Sequence, residues 1–241
     1  MIDEDFIYAL RAYFPITIKN ESEMNYINSH FDLLEKCVKE NLFQDAFLHL
    51  HILYMSFVYF QLFRIKERRN IEFNFGCIGF SNLRNEIEKA SSPFTFAVVN
   101  EKSIFRFFRL VGFDDSNIGS IAKCVETRNK FAHAYGIISF SNEDEFTETL
   151  DEYLINFNNI VKKQSSFLIG LFDEFNKTKS SDFEYSNIED EIRENFIARN
   201  FISVKELSII LSNKSAGKHY KTLKRMYPDI YELSESLASN T

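Results

Sequence analysis

The segment from Glu126 to Gly136, ETRNKFAHAYG, places several chemically capable side chains close together. Arg128 offers a rigid fork of donors that matches phosphate, and it stays protonated. Histidine is the side chain whose unperturbed pKa lies nearest neutrality, so His133 is a candidate to take up or release a proton. Asn129 can orient a neighbouring side chain or a substrate oxygen. These groups together suit phosphoryl transfer without a metal ion, with the ribose 2′-hydroxyl of RNA as the nucleophile.

A less specific interpretation of the same segment is a helix with one buried histidine and one solvated arginine. The chemical interpretation makes a further demand, because one His133 does not readily act as both base and acid at opposite ends of an in-line displacement. A second copy of the chain would supply the missing group if the motif helix lay at a two-fold interface. We therefore expect a homodimer through this helix, and neither a metal ion nor a cofactor.

The elements that position these residues are predicted to be helices. The chain of 241 residues is 45% hydrophobic, with 27 Phe and 11 Tyr, and it contains only 7 Gly and 3 Pro to interrupt helices. Helical spacing of apolar residues recurs, as at Ile27, Phe31, Leu34 and Val38. This composition and spacing predict an all-α protein.

The most apolar segment lies within residues 42–67, which we predict to form one helix. His49, His51 and Gln61 interrupt its apolar run, which extends over about 17 residues and is short for a membrane span. We expect a buried central helix and no association with a membrane. His49 and His51 are two residues apart and do not share a helix face, so we predict that they are core or surface residues and not metal ligands. We predict a structural role for His30.

We predict two parts along the chain. A helical bundle spans residues 1–178, and a helical C-terminal appendage spans residues 179–241. The polar segment NKTKSSDFEYS, residues 176–186, has the composition of a linker between them.

Charge and cysteine content restrict the classes of function. The net charge of −7 excludes a generally adhesive polycation, so any nucleic acid would have to bind at a local basic site. Cys37, Cys77 and Cys124 are far apart and odd in number, which predicts neither a disulfide framework nor a metal site. The acidic N-terminal sequence MIDEDFIYAL lacks the basic region of a signal peptide. We expect a cytoplasmic protein.

The sequence RNKFAH resembles the Arg-x(4–6)-His motif of the HEPN superfamily, in its form with a polar residue after the arginine. HEPN proteins are compact helical bundles with the motif on a late helix. Many are metal-independent endoribonucleases of toxin–antitoxin, CRISPR and anti-phage systems, and many dimerise so that two motifs form one cleft. The resemblance covers residues 20–176 in architecture and eight residues in detail.

This resemblance implies an HEPN-like helical bundle that cleaves RNA to a 2′,3′-cyclic phosphate, as a toxin or anti-phage defence effector. It implies that Arg128 and His133 are catalytic and that Asn129 supports them. The alternative is a non-catalytic HEPN-like module that binds RNA or another protein.

Tyr135 extends the resemblance, because RNKFAHAY is similar to the Arg-x4-His-x-Tyr form of toxins that pair with a minimal nucleotidyltransferase. In those relatives, which are much shorter than this chain, the partner modifies the tyrosine. The resemblance implies an antitoxin or another defence-system protein as partner. The alternative is that Tyr135 packs within the protein or stacks on a base of the substrate.

The appendage contains a basic segment in an otherwise acidic protein, NKSAGKHYKTLKRMYP at residues 213–228. The preceding segment SVKELSIILSN is compatible with the first helix of a helix-turn-helix. The basic residues Lys218, Lys221, Lys224 and Arg225 are therefore candidates for binding DNA or RNA. The alternative is a solvated helix packed on the bundle.

Overall fold

The computed structural model describes residues 4–80, 82–132, 140, 142–177 and 187–238. The predicted all-α class is confirmed, because helices form the secondary structure of these ranges and the β-type pairing in them is one isolated bridge between Pro15 and Ser203. The α-helices are α1 Glu4–Arg11, α2 Glu21–Lys39, α3 Phe43–Arg68, α4 Asn70–Gly76, α5 Arg84–Glu88, α6 Glu101–Ile104, α7 Asp115–Ala132, α8 Glu143–Lys163, α9 Ser165–Lys177, α10 Ile188–Glu191, α11 Val204–Ser212, α12 Lys218–Met226 and α13 Pro228–Ala238. Shorter 3₁₀ segments (Cys77–Gly79, Pro93–Val98 and Phe105–Val111) and a π-helix (Ile192–Ala198) connect some of them.

The chain divides into two compact units, and the division differs from the predicted boundary after residue 178. The first unit comprises residues 1–9 and 20–160, and the second comprises residues 10–19 and 161–241. Helix α9, which the sequence placed with the bundle, belongs to the second unit because its apolar face packs there. Most of the predicted linker, residues 178–186, lies outside the described residues.

Helix α3 forms the centre of the first unit. It is long and apolar enough to span a membrane by length and composition, yet 78% of its most apolar window is buried by the rest of the protein. Helix α2 covers one side of α3 with the buried residues Ile27, Phe31, Leu34 and Cys37. The prediction of a buried central helix is therefore confirmed.

Aromatic side chains fill much of this core. Phe57 packs against Phe157 of α8 with ring centroids 4.7 Å apart, and Tyr54 packs against the same ring at 5.3 Å. Phe73 and Phe107 are stacked at 4.0 Å. These contacts bring α8 and the 3₁₀ segment Phe105–Val111 onto the helices that precede them in the chain.

The second unit has its own apolar core. Its buried members are Leu168, Leu171, Phe172, Phe175, Ile192, Phe196, Ile197, Ile202, Leu207, Ile210, Leu211, Tyr220 and Leu223. Residues 10–19 join this unit through the backbone, because the amide of Ile16 donates to the Ile202 carbonyl at 2.9 Å and the amide of Lys205 donates to Ala12 at 3.0 Å. Ser203 and Glu206 form a capping box that starts α11.

Candidate functional site

Helix α7 carries the first half of the motif. The helix starts after Asp114, whose side chain accepts a hydrogen bond from the amide of Asn117 at 2.8 Å. Its core-facing stripe consists of Ile121, Cys124 and Val125, all buried. Arg128 continues this stripe at helical spacing. The arginine therefore lies where the core meets solvent, and its side chain is 31% exposed.

The guanidinium of Arg128 is held in position by two acceptors. Its Nη2 donates to Glu101 Oε1 at 2.7 Å, and its Nη1 donates to Asn129 Oδ1 at 3.0 Å. An arginine has five N–H donors, so these two bonds leave three of them for another ligand as far as the described residues are concerned. Asn129 thus helps to orient the arginine, and its predicted supporting role in catalysis stays a prediction.

Glu101 links Arg128 to a histidine inside the core. The carboxylate is at the start of α6, and its second oxygen lies 3.2 Å from Nε2 of His51 on α3. The His51 side chain is 3% exposed and that of Glu101 is 22% exposed. The carboxylate therefore bridges a half-buried cation and a buried imidazole.

The hydrogen-bond network that runs from Arg128 through Glu101 and His51 ends at Tyr153 of α8. Its hydroxyl lies 2.8 Å from His51 Nδ1 and 3.1 Å from the carbonyl oxygen of Cys124, and its single hydrogen serves one of these acceptors at a time. The ionised carboxylate of Glu101 requires a donor at His51 Nε2. A neutral imidazole with its hydrogen on Nε2 meets this requirement and leaves Nδ1 to accept from Tyr153.

The ionisation states in this network follow from burial and charge. Burial lowers the pKa of His51 and outweighs the opposing effect of Glu101, which favours the neutral ring. Burial alone would raise the pKa of Glu101, but the hydrogen bond from His51 and the charge of Arg128 outweigh it and lower the pKa. Glu101 is thus an anion at neutral pH, and Arg128 is its counter-ion.

The second half of the motif is not part of the described structure. His133 and Tyr135 lie outside the described residues. The structure therefore brings together Arg128 and Asn129, and the predicted catalytic and regulatory roles of His133 and Tyr135 stay predictions.

Sequence reasoning did not identify Glu101 and His51 as neighbours of the motif. His51 was expected to be a core or surface residue, and it is a core residue. The sequence gives one indication of this contact, because a histidine inside a strongly apolar helix needs a polar partner when it is buried. Nothing local indicates that the partner is 50 residues away, at position 101.

The other polar candidates of the first unit form a separate pair. Nδ1 of His30 on α2 lies 2.9 Å from Nδ1 of His49 on α3, and both side chains are half-buried. In the described part of the chain, no group of three or more His, Cys, Asp or Glu side chains has a geometry that could hold a metal ion. Cys37, Cys77 and Cys124 are buried free thiols.

In the second unit, the predicted basic residues lie on one face of α12. Lys218, Lys221, Lys224 and Arg225 are all exposed. His219 and Tyr220, which belong to the same basic segment, are buried instead. The segment before it forms α11, so the unit contains the predicted succession of two helices joined by a short turn.

No family model, no curated protein and no solved structure matches this chain. Membership in the HEPN superfamily therefore stays a prediction that depends on the motif.

Proposed function

We propose that this protein is a metal-independent endoribonuclease with an HEPN-like motif, acting in the cytoplasm as a toxin or anti-phage defence effector. The observation that supports the proposal most directly is the environment of Arg128. Its guanidinium is half-buried and oriented by Glu101 and Asn129, and three of its five N–H donors form no hydrogen bond to the described residues, which leaves them for a phosphate. A preorganised arginine of this kind stabilises charge that develops on a phosphate during the reaction.

In the proposed reaction, His133 takes the proton from the ribose 2′-hydroxyl. The 2′-oxygen then forms a bond to phosphorus while the bond from phosphorus to the 5′-oxygen breaks. The 5′-oxygen takes a proton from the His133 of a second copy, which starts as the imidazolium. The products are a 2′,3′-cyclic phosphate and a 5′-hydroxyl.

A homodimer through α7 would bring the two histidines into one groove. RNA is the substrate in this proposal, and no membrane takes part. An antitoxin or another defence-system protein would restrain the enzyme, and Tyr135 is its candidate target.

The test is cleavage of total RNA by the purified protein in the presence of EDTA. We expect products with 2′,3′-cyclic phosphate and 5′-hydroxyl ends. His133→Ala and Arg128→Ala should each reduce the rate by at least about 100-fold. Arg84→Ala is the matched control, because Arg84 is a surface residue that pairs with Glu88 within its own helix. Products with 5′-phosphate ends, or a strict requirement for a divalent ion, would contradict the mechanism.

A second candidate function is a non-catalytic HEPN-like module that binds RNA or another protein. The ion pair between Arg128 and Glu101 at 2.7 Å favours it, since Arg128 already neutralises a half-buried carboxylate. In this case the parent protein would not cleave RNA, and Arg128→Ala would lower the thermal stability without affecting any reaction. Measuring the melting temperature alongside cleavage separates the two functions.

A further inference from the structure

We propose that α12 presents a binding surface for the phosphodiester backbone of a nucleic acid. Helix α12 has two faces of opposite character. One face is buried and consists of His219, Tyr220, Thr222 and Leu223. The other face is exposed and carries the cations Lys218, Lys221, Lys224 and Arg225. We call this exposed face the basic face. This proposal does not depend on the proposed ribonuclease function.

The charge on the basic face is only weakly compensated. The nine residues of α12 include no acidic residue. Arg225 contacts Glu189 at 2.9 Å, but the arginine side chain is 73% exposed, and exposed pairs contribute little and exchange readily. Among the described residues, Lys218 and Lys221 form no ion pair. Within the described residues, Lys218 and Lys221 therefore have no acidic partner, and Arg225 exchanges its partner easily.

The basic face is held rigidly, unlike a charged tail. Tyr220 donates its hydroxyl hydrogen to the Leu211 carbonyl of α11 at 2.7 Å. His219 Nε2 lies 3.3 Å from Glu191 Oε2, with both side chains buried. Asn176 Nδ2 donates to the carbonyl of Ala216 at 2.5 Å in the turn before α12. Because the helix is anchored on its buried side, little conformational entropy is lost when a ligand binds the other side.

The spacing of the cations suits a polyphosphate chain. With a rise of about 1.5 Å per residue, Lys218 and Arg225 are about 10 Å apart along the helix axis, with Lys221 between them. A strand of duplex DNA carries one phosphate per about 3.4 Å of axis, so about three successive phosphates fit this length. Lysine side chains are flexible point charges and adapt to such a row.

The surface does not suit insertion into a membrane. An interfacial helix needs exposed apolar side chains beside its cations. Tyr220 and Leu223 of α12 are buried, and Met226 is half-buried. The order α11, short turn and α12 also places the basic face on the second helix of a pair, which is the helix that enters the major groove in helix-turn-helix proteins.

The test is fluorescence anisotropy with a labelled DNA duplex and with a labelled single-stranded RNA, at several salt concentrations. The RNA arm uses protein with His133→Ala, so that cleavage does not interfere. The test variant combines Lys218→Glu, Lys221→Glu and Lys224→Glu. The control combines Lys36→Glu, Lys162→Glu and Lys163→Glu, which are exposed positions with the same change in net charge.

We expect the test variant to weaken binding at least about tenfold, and to reduce the slope of log K against log salt by about 2 to 3. The control should change both quantities much less. Loss of binding to DNA alone, to RNA alone or to both identifies the nucleic acid that the basic face binds. Equal losses in both triple variants, unchanged binding in the test variant, or no binding by the parent would overturn the proposal. If the Glu variant does not fold, the triple Lys→Gln variant takes its place, and the same outcomes apply.

Discussion

At the scale of single residues, Glu101 connects the motif to the core. It accepts a hydrogen bond from Arg128 on one oxygen and contacts buried His51 with the other. A carboxylate that serves two partners is difficult to replace, because its loss leaves a half-buried cation and a buried N–H group without an acceptor. The geometry of Arg128 is therefore set from inside the protein, not by solvent.

Glu101→Ala should consequently destabilise the protein by about 1–3 kcal/mol, the usual cost of leaving buried polar groups unpaired. Glu101→Gln should cost less, because the amide oxygen can still accept from Arg128. Chemical denaturation followed by circular dichroism measures both losses. Glu126→Ala is the control, since Glu126 pairs with Lys102 on the surface and its loss should have little effect. A Glu101→Ala protein as stable as the parent would show that the network contributes nothing.

At the scale of elements, the contact between α2 and α3 contains a titratable pair. His30 and His49 have their Nδ1 atoms 2.9 Å apart, so the contact needs one hydrogen and is disrupted when both nitrogens are protonated. Tyr26 packs edge-on against His30, at a centroid distance of 4.5 Å. Burial lowers the pKa of both rings; His49 lowers that of His30 further, and Asp45 partly opposes the effect on His49.

This pair should make stability depend on pH near neutrality. Folding lowers both pKa values, so the unfolded chain binds more protons than the folded one as the pH falls. The stability that the neutral pair contributes is therefore fully present above pH 6.5, and it is lost as the pH falls toward the lowered pKa values of the folded state. Melting temperatures between pH 7.5 and 5.5 should fall more steeply for the parent than for the double variant His30→Gln and His49→Gln. Parallel curves for the two proteins would mean that the pair does not titrate in this range.

Alanine substitutions at two glycines, one inside α7 and one just before α12, should change the stability of the protein in opposite directions. Gly217 precedes α12 with φ of 130°, and a Cβ there would lie 2.7 Å from the side chain of Asn176. Gly217→Ala should destabilise the protein by about 1–3 kcal/mol, because the backbone conformation and the contact are both unfavourable for alanine. Gly119 lies inside α7 with nothing within 4 Å of an added Cβ, so Gly119→Ala should stabilise it by up to about 1 kcal/mol.

Thermal and chemical unfolding of the two alanine variants measure these opposite effects. A stabilising Gly217→Ala would show that the turn before α12 adjusts easily and does not hold the basic face in place.

At the scale of the whole molecule, the two compact units carry different candidate surfaces. The first unit contains Arg128 and its network, and the second contains the basic face of α12. The proposed reaction site and the proposed binding surface thus belong to different units of a protein whose net charge is −7. The proposed reaction adds the requirement of a second copy of the chain.

The dimer can be tested by mixing parent chains with His133→Ala chains under conditions that allow subunits to exchange. If each site uses a histidine from both copies, excess His133→Ala should lower the activity per parent chain in proportion to the fraction of parent chains that still pair with another parent chain. Light scattering at micromolar concentration gives the molar mass of the protein in solution, which distinguishes a monomer from a dimer. Unchanged activity per parent chain, or a fully active monomer, would contradict a shared site.

The sequence by itself determined the features that depend on local periodicity. The all-α class follows from which residues share a helix face, because a helix repeats every 3.6 residues whatever surrounds it. The burial of α3 follows from its apolar composition, and Arg128 and Asn129 are neighbours in the sequence itself. The resemblance to the HEPN motif is also a property of the sequence alone.

Only the tertiary structure decided which helices meet and which polar groups pair. The contacts of His30 with His49, of Arg128 with Glu101 and of Glu101 with His51 join residues 19, 27 and 50 positions apart. The place of α9 in the second unit likewise depends on contacts with residues far along the chain. Such partners are chosen by the packing of apolar faces, and the periodicity of one helix carries no information about the helix against which it packs.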